Sequence, residues 1–229
     1  MPSFYFFIDN LLEPVSYGLC FFFMLWHTRK NKHAKWRALA IFYFITSLIM
    51  WKAAYTFPNL MLYSLVCLLS SISIGIYFYY TYHSVLKKRI VICFALLQAG
   101  YYLFDNLRAT QASVFDSMGY VMLSVGVLLM SFMFMHQILN NITEEPLSWN
   151  FDFWFVSSQL FYHLGSFFIF LTYGYLTRKL ISSTDYSTDG RLYLGQLWIV
   201  HNVILFLSAL FIGASMLWIS FRRKSPSSL

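Results

Sequence analysis

Charge is scarce in this 229-residue chain: only 11% of its residues are Asp, Glu, Lys or Arg, against about a quarter in a soluble domain. A chain this poor in charge cannot cover a water-facing surface. Its apolar residues, 59% of the total, are not gathered for one soluble core but laid out in long runs. Proline is also sparse, at positions 2, 14, 58, 146 and 226. Only Pro14 falls inside an apolar run, near its start, so the mid-membrane helix breaks typical of alternating-access carriers are missing. Three cysteines, Cys20, Cys67 and Cys93, all lie in apolar runs without a CxxC pair. They read as small buried side chains, not as a disulfide or zinc framework. The amino terminus lacks a basic leader and a small-residue cleavage site, and the first apolar run is expected to direct insertion itself.

Seven apolar runs are present, over 11–26, 39–57, 60–82, 90–104, 118–139, 153–176 and 194–221. About 20 residues cross roughly 30 Å of hydrocarbon at 1.5 Å per residue. In lipid every backbone N–H and C=O needs a partner within the protein, which makes helices the expected form. The chain therefore reads as an all-α polytopic integral membrane protein, one domain over residues 1–229, folded as a seven-transmembrane-helix bundle. The first and fourth runs are short until their polar ends are included, and the fourth is expected to tilt. The longer connections are expected over 27–36, 106–117, 140–152 and 177–191. The last is the most polar and is expected to be the most mobile.

The net charge of +7 is concentrated in three places. Arg29, Lys30, Lys32, Lys35 and Arg37 follow the first run, Lys87, Lys88 and Arg89 the third, and Arg222, Arg223 and Lys224 the seventh. These hold 11 of the 16 Lys and Arg residues, and with seven crossings they share one side. The positive-inside rule then places the amino terminus outside and the carboxyl terminus in the cytoplasm, with Arg178-Lys179 as the one violation. The expected location is a cell membrane, as a multi-pass protein of a bacterial inner membrane. The basic loops read as orientation signals and contacts to the lipid bilayer; no basic surface is large enough for nucleic acid. The Asn141-Ile142-Thr143 sequon falls in an inner loop and carries no weight.

Ionisable groups in hydrocarbon cost about 2.5–3.5 kcal/mol on insertion scales, so each needs a partner or a task. Glu13, Lys52, Asp105, His201 and Asn202 come from four different runs and share the outer third of the bundle, with Asn106 and Gln196 at similar depth. They are the candidate ligand-binding residues. Glu13 and Lys52 are expected to pair, with Trp51 and Trp198 as an apolar wall. The competing reading is interfacial, with Lys52 snorkelling to the headgroups. Gln159 and His163 lie one helical turn apart and suit interhelical hydrogen bonds. His27, His83 and His136 approach one depth, but no HExxH or HxxxH spacing supports a metal site. His163 and His201 differ in depth, against a bridged haem. The seventh run has no lysine for a retinal Schiff base. The serines at 70, 71, 73, 157 and 158 read as packing residues, as do Ser71-xxx-Gly75 and Ala209-xxx-Gly213. No catalytic residue, metal or cofactor is expected.

Phe153-Trp154-Phe155, Leu160-Phe161-Tyr162 and Gly165 before an aromatic run are followed by Leu197-Trp198-Ile199-Val200-His201-Asn202. This pattern, in the last third of the chain, resembles small bacterial seven-helix membrane proteins and the similar membrane regions of some sensor histidine kinases. The resemblance implies a non-enzymatic receptor-like module that binds a small or lipid-like ligand and takes part in signal transduction. No kinase domain occurs within these residues, so a separate cytoplasmic signalling protein would be its partner. The alternatives are an intramembrane, metal-dependent hydrolase acting on lipid, and a small-solute transporter.

Overall fold

The structure is a computed structural model that describes residues 7–56, 60–108, 115, 117–140, 146–182 and 188–222. All seven apolar runs become helices: α1 (Leu12–Lys30), α2 (Ala34–Tyr55), α3 (Leu60–Thr81), α4 (Val85–Arg108), α5 (Ser117–Asn140), α6 (Phe151–Ser182) and α7 (Thr188–Arg222). A π-helical turn (Phe7–Leu11) precedes α1, and a 3-10 turn (Leu147–Trp149) precedes α6. Five of the seven, α2, α3, α5, α6 and α7, are long and apolar enough to cross a membrane by length and composition. The described chain is a multi-pass, all-helical membrane protein.

The helices overrun the apolar runs because their polar ends stay helical. The connection expected over 27–36 shrinks to three residues. Asn31 N–H donates to His27 O at 2.9 Å to close α1, and His33 Nδ1 accepts from Lys35 N–H at 3.3 Å to cap α2. Lys and Arg are good helix formers, so a basic cluster need not end a helix. The stretch expected to loop over 177–191 is likewise helical to Ser182 and again from Thr188. The sequon lies outside the described residues.

Contacts between helix ends show the directions. Lys35 at the start of α2 meets Thr81 at the end of α3 and Asp152 at the start of α6, and Lys87 of α4 meets Gln137 of α5. These contacts mark the far end of the bundle, where α1 finishes; the near end is where α1 begins. Around the ring, α1 packs on α2 and α7, α2 on α3, α3 directly on α5, α5 on α6 and α6 on α7. The fourth helix, α4, lies outside this ring, against α3 and α5. Its Lys87-Lys88-Arg89 start and its peripheral place explain why its apolar run is short.

The side-chain distribution is inverted relative to a soluble protein. Large apolar residues such as Ile41, Leu48, Leu96, Phe132 and Phe168 are exposed, while Thr46, Ser71, Ser124, Ser158 and Ser166 are buried. Many buried hydroxyls bond to their own helix, as Ser16 does to Leu12 O at 2.6 Å and Ser70 to Val66 O at 2.8 Å. Close approach comes from small residues. Gly75 faces Val91 and Ala95 of α4, and Gly126 of α5 receives the ring of Phe94. Gly213 of α7 receives the ring of Phe23 from α1, with buried Ala209 one turn away. The Ser71-xxx-Gly75 and Ala209-xxx-Gly213 spacings therefore serve packing within one bundle.

A Cβ at Gly213 stands 2.3 Å from Phe23 Cζ. Gly213→Ala is expected to cost about 1–3 kcal/mol by overpacking, and adding Phe23→Ala should recover part of that loss. Thermal unfolding of the purified variants reads both; an unchanged melting temperature in Gly213→Ala rules out this slot.

Polar tethers converge on α6. Gln159 Nε2 donates to Tyr43 OH of α2 at 3.4 Å, and Asp152 accepts from Tyr77 of α3. His163 Nδ1 meets Ser124 Oγ of α5 at 3.3 Å, and Ser158 Oγ meets Ser208 Oγ of α7 at 2.6 Å.

Candidate functional site

At the near end, Glu13 occupies the first turn of α1, where a carboxyl group complements the positive end of the helix. Pro14 follows, in a first-turn position that lacks an intrahelical N–H bond in any case. Its carbonyl accepts from Ser47 Oγ of α2 at 3.1 Å. Glu13 is only 4% exposed, and Tyr63 OH of α3 donates to its Oε2 at 3.4 Å. Tyr17, Tyr120 and Tyr162 lie within electrostatic reach of the same carboxyl.

On α7, His201 and Asn202 are both fully buried. His201 Nε2 lies 3.5 Å from Tyr162 OH, and its Nδ1 lies 3.4 Å from Ser166 Oγ, so α6 holds both ring nitrogens. Asn202 Nδ2 donates to Ile8 O at 3.0 Å and ties α7 to the turn that precedes α1. Trp198, one turn earlier, covers this group. Its ring centroid lies 5.1 Å from Tyr63, 5.4 Å from Phe115 and 5.5 Å from His201.

Deeper along the bundle is an enclosed cavity of about 30 Å³, bordered by Tyr17, Tyr43, Gln159, Tyr162, His163 and Ser208 among others. About 10–15 Å³ is enough for one water, so the space is water-sized. His163 Nε2 is buried there and has no hydrogen-bond partner among the described residues. A buried polar atom of this kind asks for a water or a ligand group.

Of the five candidate residues, Glu13, His201 and Asn202 are thus brought into one neighbourhood of the interior. Lys52 is not. It is exposed in the last turn of α2 and does not pair with Glu13; there its charge complements the carboxyl end of the helix. Asp105 is partly exposed on peripheral α4, and the side chain of Asn106 lies outside the described residues. Gln196 is exposed. Trp51 is exposed beside Tyr55, 6.4 Å between ring centroids, and takes no part in this cluster, whereas Trp198 packs over it. The tyrosines 17, 63, 120 and 162 are the site residues that sequence reasoning missed, because a tyrosine in an apolar run reads as interfacial by default.

The far end carries a separate polar feature. Lys35 Nζ and Asp152 Oδ1 pair at 2.5 Å, Tyr77 OH donates to the same oxygen at 2.7 Å, and Lys35 Nζ lies 3.4 Å from Thr81 Oγ1. This clasp joins α2, α3 and α6. The three histidines near this end do not converge. The ring of His27 stacks on Phe151 at 4.2 Å, His136 meets Asn140, and His83 is exposed. Among the described residues no three His, Cys, Asp or Glu side chains are grouped for a metal ion.

Comparison with protein families, with curated proteins and with solved structures finds no match for this chain.

Proposed function

We propose that the chain is a receptor-like, non-enzymatic module of a bacterial cell membrane, crossing it seven times with the amino terminus outside. A small or lipid-like ligand reaches the near-end polar cluster, and the change in helix packing passes to a cytoplasmic signalling protein at the basic far end. The observation that carries this reading is the burial of Glu13, His201 and Asn202, from opposite ends of the sequence, among four tyrosines beneath Trp198. Buried ionisable groups in a membrane bundle mark functional positions. The orientation follows from the basic clusters, and the likeness of α6 and α7 to membrane-sensor regions supports the signalling role.

The test is a thermal-shift screen of the purified protein against small amphipathic molecules, followed by titration of any stabilising compound. A ligand present at 100 times its dissociation constant adds about 2.7 kcal/mol to a folded state that alone binds it. Glu13→Gln and His201→Ala are expected to fold and to weaken that response at least tenfold. Two variants that fold and respond as the wild type place the site elsewhere.

A further inference from the structure

A cavity of about 480 Å³ at the far end has a composition unlike its surroundings. It opens between α1, α7 and the turn that leads into α6. Phe23, Trp26, Trp36, Trp149 and Phe151 line it, with Asp152 among the polar groups at its edge. No Lys or Arg lines it among the described residues, although the adjoining end of α1 and the turn after it hold Arg29, Lys30 and Lys32. Asp152 also borders the neighbouring cavity of about 340 Å³, and Lys35 borders only that one. The clasp therefore separates the two spaces, with its carboxylate facing both and its ammonium facing one. Lys35 and Tyr77 both bind Oδ1, and Oδ2 takes part in neither bond.

We infer that the larger cavity binds an organic ammonium group, held by the aromatic walls and the Asp152 carboxylate. The faces of Trp, Tyr and Phe rings attract cations, most strongly where water is displaced. His27 is the one basic side chain in the lining and its ring stacks on Phe151 4.2 Å away, so an anion would meet mainly ring faces and a carboxylate. A bare Ca²⁺ or Mg²⁺ needs six or more oxygen ligands, which these walls do not supply, and among the described residues no three His, Cys, Asp or Glu are grouped for a transition metal. A purely apolar chain would meet the rings but offer nothing to Asp152 Oδ2, which takes part in neither clasp bond. An ammonium carrying apolar substituents satisfies both parts of the lining, and the volume is that of an ordinary small-molecule pocket. A second groove of about 330 Å³ shares Trp26 and continues along α1 past Phe22, Leu25 and Arg29, which provides a path for a tail. The same ammonium chemistry occurs on phospholipid headgroups and on free amphipathic amines. This site is independent of the near-end polar cluster, and its variants touch none of that cluster's residues.

The experiment uses the full chain in maltoside micelles, titrated with octyltrimethylammonium, octyl sulfate and 1-octanol, with melting temperature and tryptophan fluorescence as readouts. A saturable rise in melting temperature is expected with the ammonium compound alone. Trp149→Ala, at an exposed position on the 3-10 turn, should keep the fold and weaken that binding at least tenfold. Asp152→Asn should weaken it comparably; if that protein does not fold, Trp149→Ala carries the test by itself. An equal response to all three octyl compounds, or wild-type affinity in Trp149→Ala, overturns the site. Native mass spectrometry separates the sources. Phosphatidylethanolamine retained by the wild type and lost in Trp149→Ala identifies a headgroup, and lipid-free protein that still binds octyltrimethylammonium identifies a free amine. Retained phosphatidylglycerol that is lost in Trp149→Ala overturns the inference, since its headgroup carries no ammonium.

Discussion

Asp152→Ala is expected to lower the stability of the bundle by about 3 kcal/mol, the lower part of the range for breaking a buried ion pair. The lower part applies because the Asp152 side chain is 27% exposed, while that of Lys35 is only 10% exposed. Without Asp152 the Lys35 ammonium retains Thr81 Oγ1 and the ring faces of Trp36 and Tyr77, 4.9 and 5.2 Å away. Those contacts do not replace a full countercharge. The loss belongs to the orphaned cation more than to the missing bond, so removing both charges should relieve it. Lys35→Met with Asp152→Leu is expected to stand within about 1.5 kcal/mol of the wild type, since well-packed apolar replacements of buried pairs are often neutral. Unfolding of the purified variants by heat or by denaturing detergent measures the cycle. A double variant as unstable as the sum of the two singles would falsify the account.

Trp36→Ala is expected to cost about 3–5 kcal/mol, the range for truncating a large buried aromatic. Trp36 is 1% exposed and lies against His27, Tyr77, Phe151 and Phe155, with ring centroids between 4.8 and 5.8 Å away. In a lipid solvent the usual transfer term shrinks, because a helix outside the bundle already sits among acyl chains. What Trp36→Ala forfeits is dispersion contact and filled volume at the junction of α1, α2, α3 and α6. Trp51, on the same helix and exposed, is the control: Trp51→Ala should change stability by less than about 0.5 kcal/mol. Equal melting temperatures for the two variants would show that burial at Trp36 contributes nothing.

The helices were legible because each of the seven apolar runs falls on one, and five of them are long and apolar enough to cross a membrane. Their ends were not, since Thr28, Arg29 and Lys30 extend α1 at no penalty from a headgroup environment. The buried polar residues Glu13, His201 and Asn202 stood out because a polar group amid apolar neighbours is costly wherever it points. Lys52 and Asp105 stood out for the same reason and yet lie apart from that group. Position along a run gives depth, whereas the direction a side chain takes around the helix depends on neighbours that a sequence does not name. The tyrosines were invisible for a related reason. One hydroxyl on a large apolar ring suits lipid, interface or interior, and only Glu13 beside Tyr63, or His201 beside Tyr162, decides among them. Lys35 read as one more orientation signal and Asp152 as a loop acid. Their pairing spans 117 positions of chain, beyond any local pattern.

The scarcity of proline has a mechanical consequence in α6. From Phe151 to Ser182 this helix contains no proline, and at 1.5 Å per residue it is about 48 Å long. Asp152 engages the clasp at one end, and Ser166 engages His201 fourteen residues further on, about 21 Å along the same axis. No proline lies between the two points, and Gly165-Ser166 is the one Gly/Ser pair there. On the proposed function, displacement of α6 at His201 would therefore reach Lys35 through the helix itself, with Gly165 as the place where it could bend.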